Sequence, residues 1–157
     1  MTYYVRKSTR IPNYDYSSNN YYFITICTHN RKCLFGGPHK LNCLGETAKQ
    51  FMEDIPKYYP QVKVDNYVIM PNHVHSILII DDLEETKSIT LSKVVGQYKM
   101  AVSRAFHITN PDEILWQRSF HDHVIRNRRS YENIWLYIEG NPSKWEEDCF
   151  YWADPVL

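Results

Sequence analysis

Hydrophobic and polar positions along the chain divide it into seven predicted elements. The stretch "YYFITICTH" (21–29) is dense in β-branched and aromatic residues and predicts a strand. "NRKCLFGG" then turns, with room for a short second strand, after which "LGETAKQFMEDI" (44–55) puts Leu44, Ala48, Phe51, Met52 and Ile55 on one helical stripe that Pro56 is expected to stop. "VKVDNYVIM" (62–70) and "HVHSILII" (73–80) predict two strands of a hairpin rather than one bent strand, because Pro71 between them is poorly tolerated inside a central strand. "DDLEETKS" is a loop. "TLSKVVGQYKMAVSRAF" (90–106) is an amphipathic helix with Leu91, Val94, Val95, Tyr98, Val102 and Phe106 inward and Lys93, Lys99 and Arg104 outside. "ILWQRSFHDHVI" (114–125) carries a further strand. "SYENIWLYIEGNPSKW" (130–145) is a helix with Ser130 as its N-cap, ending near Gly140-Asn141-Pro142. The order β, α, β, β, α, β, α predicts an antiparallel sheet with helices packed on it, in the α+β class.

Length and composition narrow the setting. A chain of 157 residues with 43% hydrophobic content predicts one domain over 1–157, with residues 1–20 as a basic, aromatic N-terminal arm. No apolar run reaches 18 residues, and the first ten residues hold no apolar signal core, so a cytoplasmic protein that makes no membrane contact is expected. The four cysteines, at 27, 33, 43 and 149, form no C-x-x-C pair and are expected to be small buried thiols. Formal net charge is zero, yet segments 1–40 and 93–129 carry +5 and +4 while 41–92 and 130–157 carry −4 and −5. If the two basic segments meet in space they form a phosphate-attracting face on a neutral protein; if not, they are solvated surface.

Candidate chemistry sits inside the most apolar strand. His73 and His75 are i and i+2, so their imidazoles share one side while Val74 takes the other. They are either core histidines satisfied by neighbours or two nitrogen ligands for a divalent cation, and the preceding Pro71-Asn72 turn puts them at the strand's mouth. Tyr137 and Asn141 share one face of the last predicted helix. An amide oxygen can ligate Mg²⁺ or Mn²⁺, and a tyrosine beside such a site can act as a nucleophile once activated, although packing is the commoner role of a tyrosine. Asn141 precedes Pro142, which biases its backbone away from the helix. His121 and His123 form a second i, i+2 pair around Asp122. That pair is a second metal site, an exposed strand edge, or a phosphate contact together with Arg118, Arg126, Arg128 and Arg129. Arg6, Lys7 and Arg10 alternate with tyrosines 3, 4, 14, 16, 21 and 22, which suits unpaired bases and phosphates but equally an apolar strap.

Three separated blocks resemble one family. "MPNHVHSIL" is similar to the His-hydrophobic-His motif of the HUH single-strand DNA endonucleases. "WQRSFHDHVIRN" followed by "YIEGNPSKW" resembles the C-terminal half of the REP-associated tyrosine transposases and related small insertion-sequence transposases, and "RKSTRIPNYDYSSNNYYFITICTHNR" resembles their N-terminal stretch. The resemblance implies a ferredoxin-like sandwich, a divalent cation on His73 and His75 completed by Asn141, and Tyr137 as the group that attacks a phosphodiester of single-stranded DNA. The product would be a 5′-phosphotyrosine and a free 3′-hydroxyl, made near the foot of a DNA hairpin. The basic DNA contacts would come from Arg6, Lys7, Arg10, Lys93, Lys99, Arg104, Arg118, His121, His123 and Arg126. The family includes monomers and dimers that share active sites, so a homodimer is one option here. A binding module that grips hairpin DNA without cutting, and a hydrolase using activated water, are the competing readings. Tyr131 is expected not to be the nucleophile, since it lies at the start of the helix, far from Asn141.

Overall fold

A computed structural model describes residues 10–82 and 88–151. Arg6, Lys7, Tyr3 and Tyr4 of the basic aromatic arm lie outside the described residues, as does most of the predicted loop at 81–88.

The elements are β1 (Asn20–Cys27), α1 (Cys43–Glu53), the one-turn α2 (Ile55–Tyr58), β2 (Val62–Met70), β3 (His73–Ile80), α3 (Leu91–His107), β4 (His121–Ile125) and α4 (Arg128–Gly140). The four strands form one antiparallel sheet in the order β2-β3-β1-β4. The sheet and its two β-α-β halves give the ferredoxin-like α+β sandwich expected from the sequence.

The period-2 alternation of each strand assigns its residues to two faces. Tyr22, Ile24, Ile26, Val74, Leu78 and Val124 face α1 and α3 and join the main core with Ala48, Met52, Val94, Val95, Tyr98 and Val102. The other face carries Phe23, Val68, Ile77, Ile79 and Ile125, which pack against Tyr131, Ile134 and Ile138 of α4. A bulge between Val64 and Asn66 in β2 inserts one residue against β3. This lets Val64 and Tyr67 both reach the main core while Asp65 accepts a hydrogen bond from the Tyr131 hydroxyl at 2.6 Å. Among the described residues, no helix is long and apolar enough to cross a membrane.

Several boundaries differ from the sequence expectation. Pro56 does not stop the first helix. α1 ends at Glu53, and Pro56 opens α2, where a missing N–H costs nothing. The predicted strand 114–125 pairs only over its last five residues; before it, Trp116 makes a single bridge to Thr28. The reason lies in α3: the Lys99 ammonium donates to the carbonyls of Gln117 (2.9 Å) and Ser119 (2.8 Å), and the Trp116 indole donates to the Lys99 carbonyl. These contacts bend the segment onto the helix, with Ser119 at φ +69°. Lys99 is therefore not on the outer face as expected; its ammonium is partly desolvated, which lowers its pKa. The "NRKCLFGG" stretch yields one bridge, Gly36 to Leu41, rather than a strand. Of the cysteines only Cys27 is buried; Cys43 and Cys149 are exposed.

α4 begins three residues earlier than expected. Asn127, not Ser130, is its N-cap: the Asn127 side chain accepts from the Ser130 N–H at 2.8 Å. The α-helix ends at Gly140, and residues 142–147 continue as a 3₁₀ segment. Asn141 between them stays helical at φ −60°, ψ −43°, against the pre-proline bias. Replacing Asn127 by Ala should cost about 1 kcal/mol in urea denaturation, whereas Ser130→Ala should change stability by less than about 0.5 kcal/mol.

Candidate metal centre and nucleophile

β3 is the central strand that carries both histidines, and its register fixes their surroundings. His73 is paired with Cys27 on one side and Met70 on the other; His75 lies between Thr25 and Val68. Both imidazoles are buried, at 0% and 1% exposure, on the face that α4 covers. Each has one nitrogen held. His73 Nδ1 lies 2.8 Å from Asn72 Oδ1, and Asn72 spends its amide protons on the carbonyls of Phe150 (2.8 Å) and Arg31 (3.2 Å). Asn72 Oδ1 is therefore the acceptor, His73 Nδ1 carries the proton, and His73 Nε2 presents a lone pair. Thr25 Oγ1 lies 2.8 Å from His75 Nδ1 and orients the second ring. Such outer partners commonly orient metal-ligating histidines.

The end of α4 brings the remaining groups. Asn141 is 2% exposed, and its amide donates to Asp148 Oδ2 at 2.6 Å. The Asp148 carboxylate is fully buried and lies 3.9 Å from His73 Nε2. The Tyr137 hydroxyl is 3.3 Å from His75 Nε2 and 3.5 Å from Asp148 Oδ2. Phe150 closes the site, its ring centroid 4.7 Å from that of His73. Tyr137 reaches His75 of its own chain.

Electrostatics follow from burial. Desolvation lowers the pKa of His73 to about 4, against the opposing pull of Asp148. Desolvation, then the neighbouring His73, pushes His75 well below the usual imidazole range. Both rings are neutral at pH 7, as metal ligands must be. Tyr137 is raised to about 12, first by desolvation and then by the Asp148 charge.

Two buried polar atoms here lack a hydrogen-bond partner among the described residues: His73 Nε2 and Asn141 Oδ1. An unmet buried polar group costs roughly 1–3 kcal/mol. Ligand atoms of His73, His75 and Asp148 lie within 4.8 Å of one another. Two imidazole nitrogens, a carboxylate and an amide oxygen form a donor set that suits a divalent cation such as Mn²⁺ or Mg²⁺. The residues present fit the ion.

The structure brings His73, His75, Tyr137 and Asn141 together; spacing pairs them only two by two, and the family resemblance implies that the two pairs meet. Asp148 was missed: it sits in the acidic run "WEEDCF", and only the 3₁₀ segment selects it over Glu146 and Glu147. Asn72 read as a turn residue; its proximity to His73 was the available signal. Tyr131 is occupied elsewhere, hydrogen-bonded to Asp65 and edge-on to Tyr21. The remaining basic candidates separate. Lys93 and Arg104 lie on exposed positions of α3, on the far side of the sheet. Arg10 is ion-paired with Asp122 at 2.5 Å and sits over the Phe120 ring. Arg118, His121, His123 and Arg126 are exposed around β4.

A ferredoxin-like sheet with two buried histidines on a central strand, facing Tyr137 of the last helix, has the layout of an HUH-type site. The family model for IS200-like transposases matches residues 16–141. The chain belongs to this family. It is 37% identical to an uncharacterized Haemophilus influenzae protein over 93% of each chain. It is 24% identical to a second H. influenzae protein, named for the REP-associated tyrosine transposases, over 83% of this chain and 74% of that one. Its fold is similar to that of a REP-associated tyrosine transposase solved with a REP hairpin (TM-score 0.63, 20% identity, 100% of this chain and 94% of that one). It is also similar to a Deinococcus radiodurans protein described as a transposase (TM-score 0.54, 19% identity, 83% and 95%).

If the Asn72 amide sets the His73 tautomer, Asn72→Ala should weaken Mn²⁺ binding about ten- to a hundredfold, read by titration calorimetry, with the far-ultraviolet spectrum unchanged.

Proposed function

We propose that the chain is a divalent-cation-dependent transposase that cuts and rejoins single-stranded DNA at hairpins through a tyrosine-linked intermediate. The observation that carries this reading is the placement of the Tyr137 hydroxyl against His75 of a buried imidazole pair, whose other member, His73, has a lone pair with no hydrogen-bond partner among the described residues. Family membership and the similar fold of a relative solved with a REP hairpin support it. A protein that only gripped hairpins would have no use for a buried donor set beside an aromatic hydroxyl.

The chain's own residues divide the work. Tyr137 Oη forms a bond to the scissile phosphorus, and the bond from phosphorus to the 3′-oxygen breaks. The DNA's 5′ end is left on the enzyme, and the 3′-hydroxyl departs with one proton. The phenol is protonated at rest, because burial and Asp148 raise it to about 12. Its proton must leave as the bond forms, and Asp148 Oδ2 at 3.5 Å is the carboxylate placed to accept it. His73, His75, Asp148 and Asn141 would hold Mg²⁺ or Mn²⁺, which supplies Lewis-acid polarisation of the phosphate oxygens. Phosphotyrosine conserves the energy of the broken diester, so attack by another 3′-hydroxyl rejoins the DNA with no nucleotide cofactor. Phe150 and the 3₁₀ segment limit water at the site, which favours transfer to DNA over hydrolysis.

Incubation with a labelled hairpin oligonucleotide and Mn²⁺ should give a covalent protein–DNA adduct on a denaturing gel. Tyr137→Phe should remove the adduct entirely, while Tyr131→Phe keeps it. Cleavage that survives Tyr137→Phe would mean an activated-water hydrolase, and retention of the hairpin with no break would mean a binding module.

A further inference from the structure

The register of β4 places a second pair of histidines on the same sheet face as the first. His121 pairs with Thr25 and His123 with Phe23, and on the other side of β1 Thr25 pairs with His75 and Phe23 with Ile77. One row across the sheet therefore reads His121, Thr25, His75, and the next reads His123, Phe23, Ile77. With strands about 4.8 Å apart, His121 lies about 10 Å from His75, backbone to backbone.

α4 covers only part of this face. Its inward residues rest on Ile77 and Ile125 and against Val68 and Ile79, while His121 and His123 stay exposed. The strip between the two histidine pairs is aromatic. Phe23 stacks on His75 with centroids 5.2 Å apart and meets Tyr137 edge-on at 6.2 Å. Tyr137 keeps 42% exposure although its hydroxyl touches His75. The opposite flank of the site is closed by Asp148 and Phe150.

Charge follows the same path. The acid of the H-D-H triplet, Asp122, is turned to the other face, with a side chain only 1% exposed and ion-paired to Arg10. The open half of the face thus presents two imidazoles, with exposed Arg118 before them and Arg126 after them, and withdraws the strand's carboxylate. Two residues of strand span about 7 Å, comparable with one step of an extended nucleic-acid strand. Flat rings at that spacing suit unpaired bases and the phosphate between them, because every base has a stacking face. Phe23 lies between the two histidine pairs, partly buried against α4.

Building on the DNA-cutting reading above, we propose that His121 and His123 position the single-stranded segment flanking the scissile phosphate, leading it from Tyr137 across Phe23 to the β4 edge. They are positioning residues: they act on the strand beside the reaction and not on the reacting atoms. The ligand is unpaired DNA, and the hairpin stem lies elsewhere on the protein.

The test measures binding of two fluorescent probes to the full chain by anisotropy: a hairpin with a single-stranded flank, and the same hairpin with a blunt foot. His121→Ala/His123→Ala should weaken binding of the flanked probe about tenfold and leave the blunt probe's Kd within about twofold. The less drastic His121→Gln/His123→Gln should show the same selectivity with a smaller loss, and both variants should keep the wild-type melting temperature, since these side chains are exposed. Equal weakening of both probes, or of neither, would overturn the proposal. Selective weakening in a protein that forms no Tyr137 adduct would support this surface while sinking the catalytic reading. An adduct formed without any flank selectivity would sink this surface alone.

Discussion

The site depends on an unmet demand at the sheet's centre. His73 Nε2 is buried, carries a lone pair because Asn72 holds the proton on the other nitrogen, and has no hydrogen-bond partner among the described residues. Asn141 Oδ1 repeats the situation a short distance away at the end of α4. Native interiors pair their polar groups, and two buried acceptors beside a buried carboxylate form a donor set compatible with a metal ion. The neutral state of both imidazoles has the same origin: desolvation lowers His73 to about 4 and pushes His75 well below the usual imidazole range. A stability-driven core would fill these positions with aliphatic residues, as the same strand does at Val74, Ile77 and Leu78.

Other features of the fold serve this arrangement. The antiparallel order β2-β3-β1-β4 puts the histidine strand between two neighbours, and Thr25 of β1 holds the His75 ring while Asn72, in the turn before β3, holds that of His73. The Asn127 cap and the Asp65–Tyr131 hydrogen bond fix the start of α4. Ile134 and Ile138 pin its inner face, so the angular position of Tyr137 is set by packing on one side of the helix and its hydroxyl is delivered to His75. The helical conformation of Asn141 carries the chain on into a 3₁₀ segment that returns Asp148 to the centre. The far face of the sheet, with α1 and α3, contributes stability and none of the converging groups.

Much of this was legible in the sequence because periodicity reports faces. The i, i+2 histidines and the i, i+4 Tyr137–Asn141 pair are statements about direction, and direction survives small errors in element boundaries. The β2–β3 hairpin was readable from Pro71 alone. Contacts that depend on where an irregular segment goes were not readable. Nothing local separates Asp148 from Glu146 or Glu147, and nothing in "WQRSF" shows that Lys99 will hold its carbonyls and shorten β4 to five residues. Asn127 prevailed over Ser130 as the cap because tertiary packing of Tyr131 and Ile134 fixed the helix start, a long-range constraint that a capping signal does not contain. The two basic segments do meet, through the pairing of β1 with β4, but that meeting also binds Arg10 to Asp122, so net charge by segment overstated the exposed positive surface.

The central claim is that a divalent cation belongs between β3 and the end of α4. Diffraction from crystals soaked in Mn²⁺, collected at a wavelength where manganese scatters anomalously, tests it most directly. The account predicts one strong anomalous peak within about 2.0–2.4 Å of His73 Nε2 and His75 Nε2, with a carboxylate or amide oxygen of Asp148 or Asn141 completing the sphere. A map with no peak there, in crystals where the four side chains keep their positions, would contradict it.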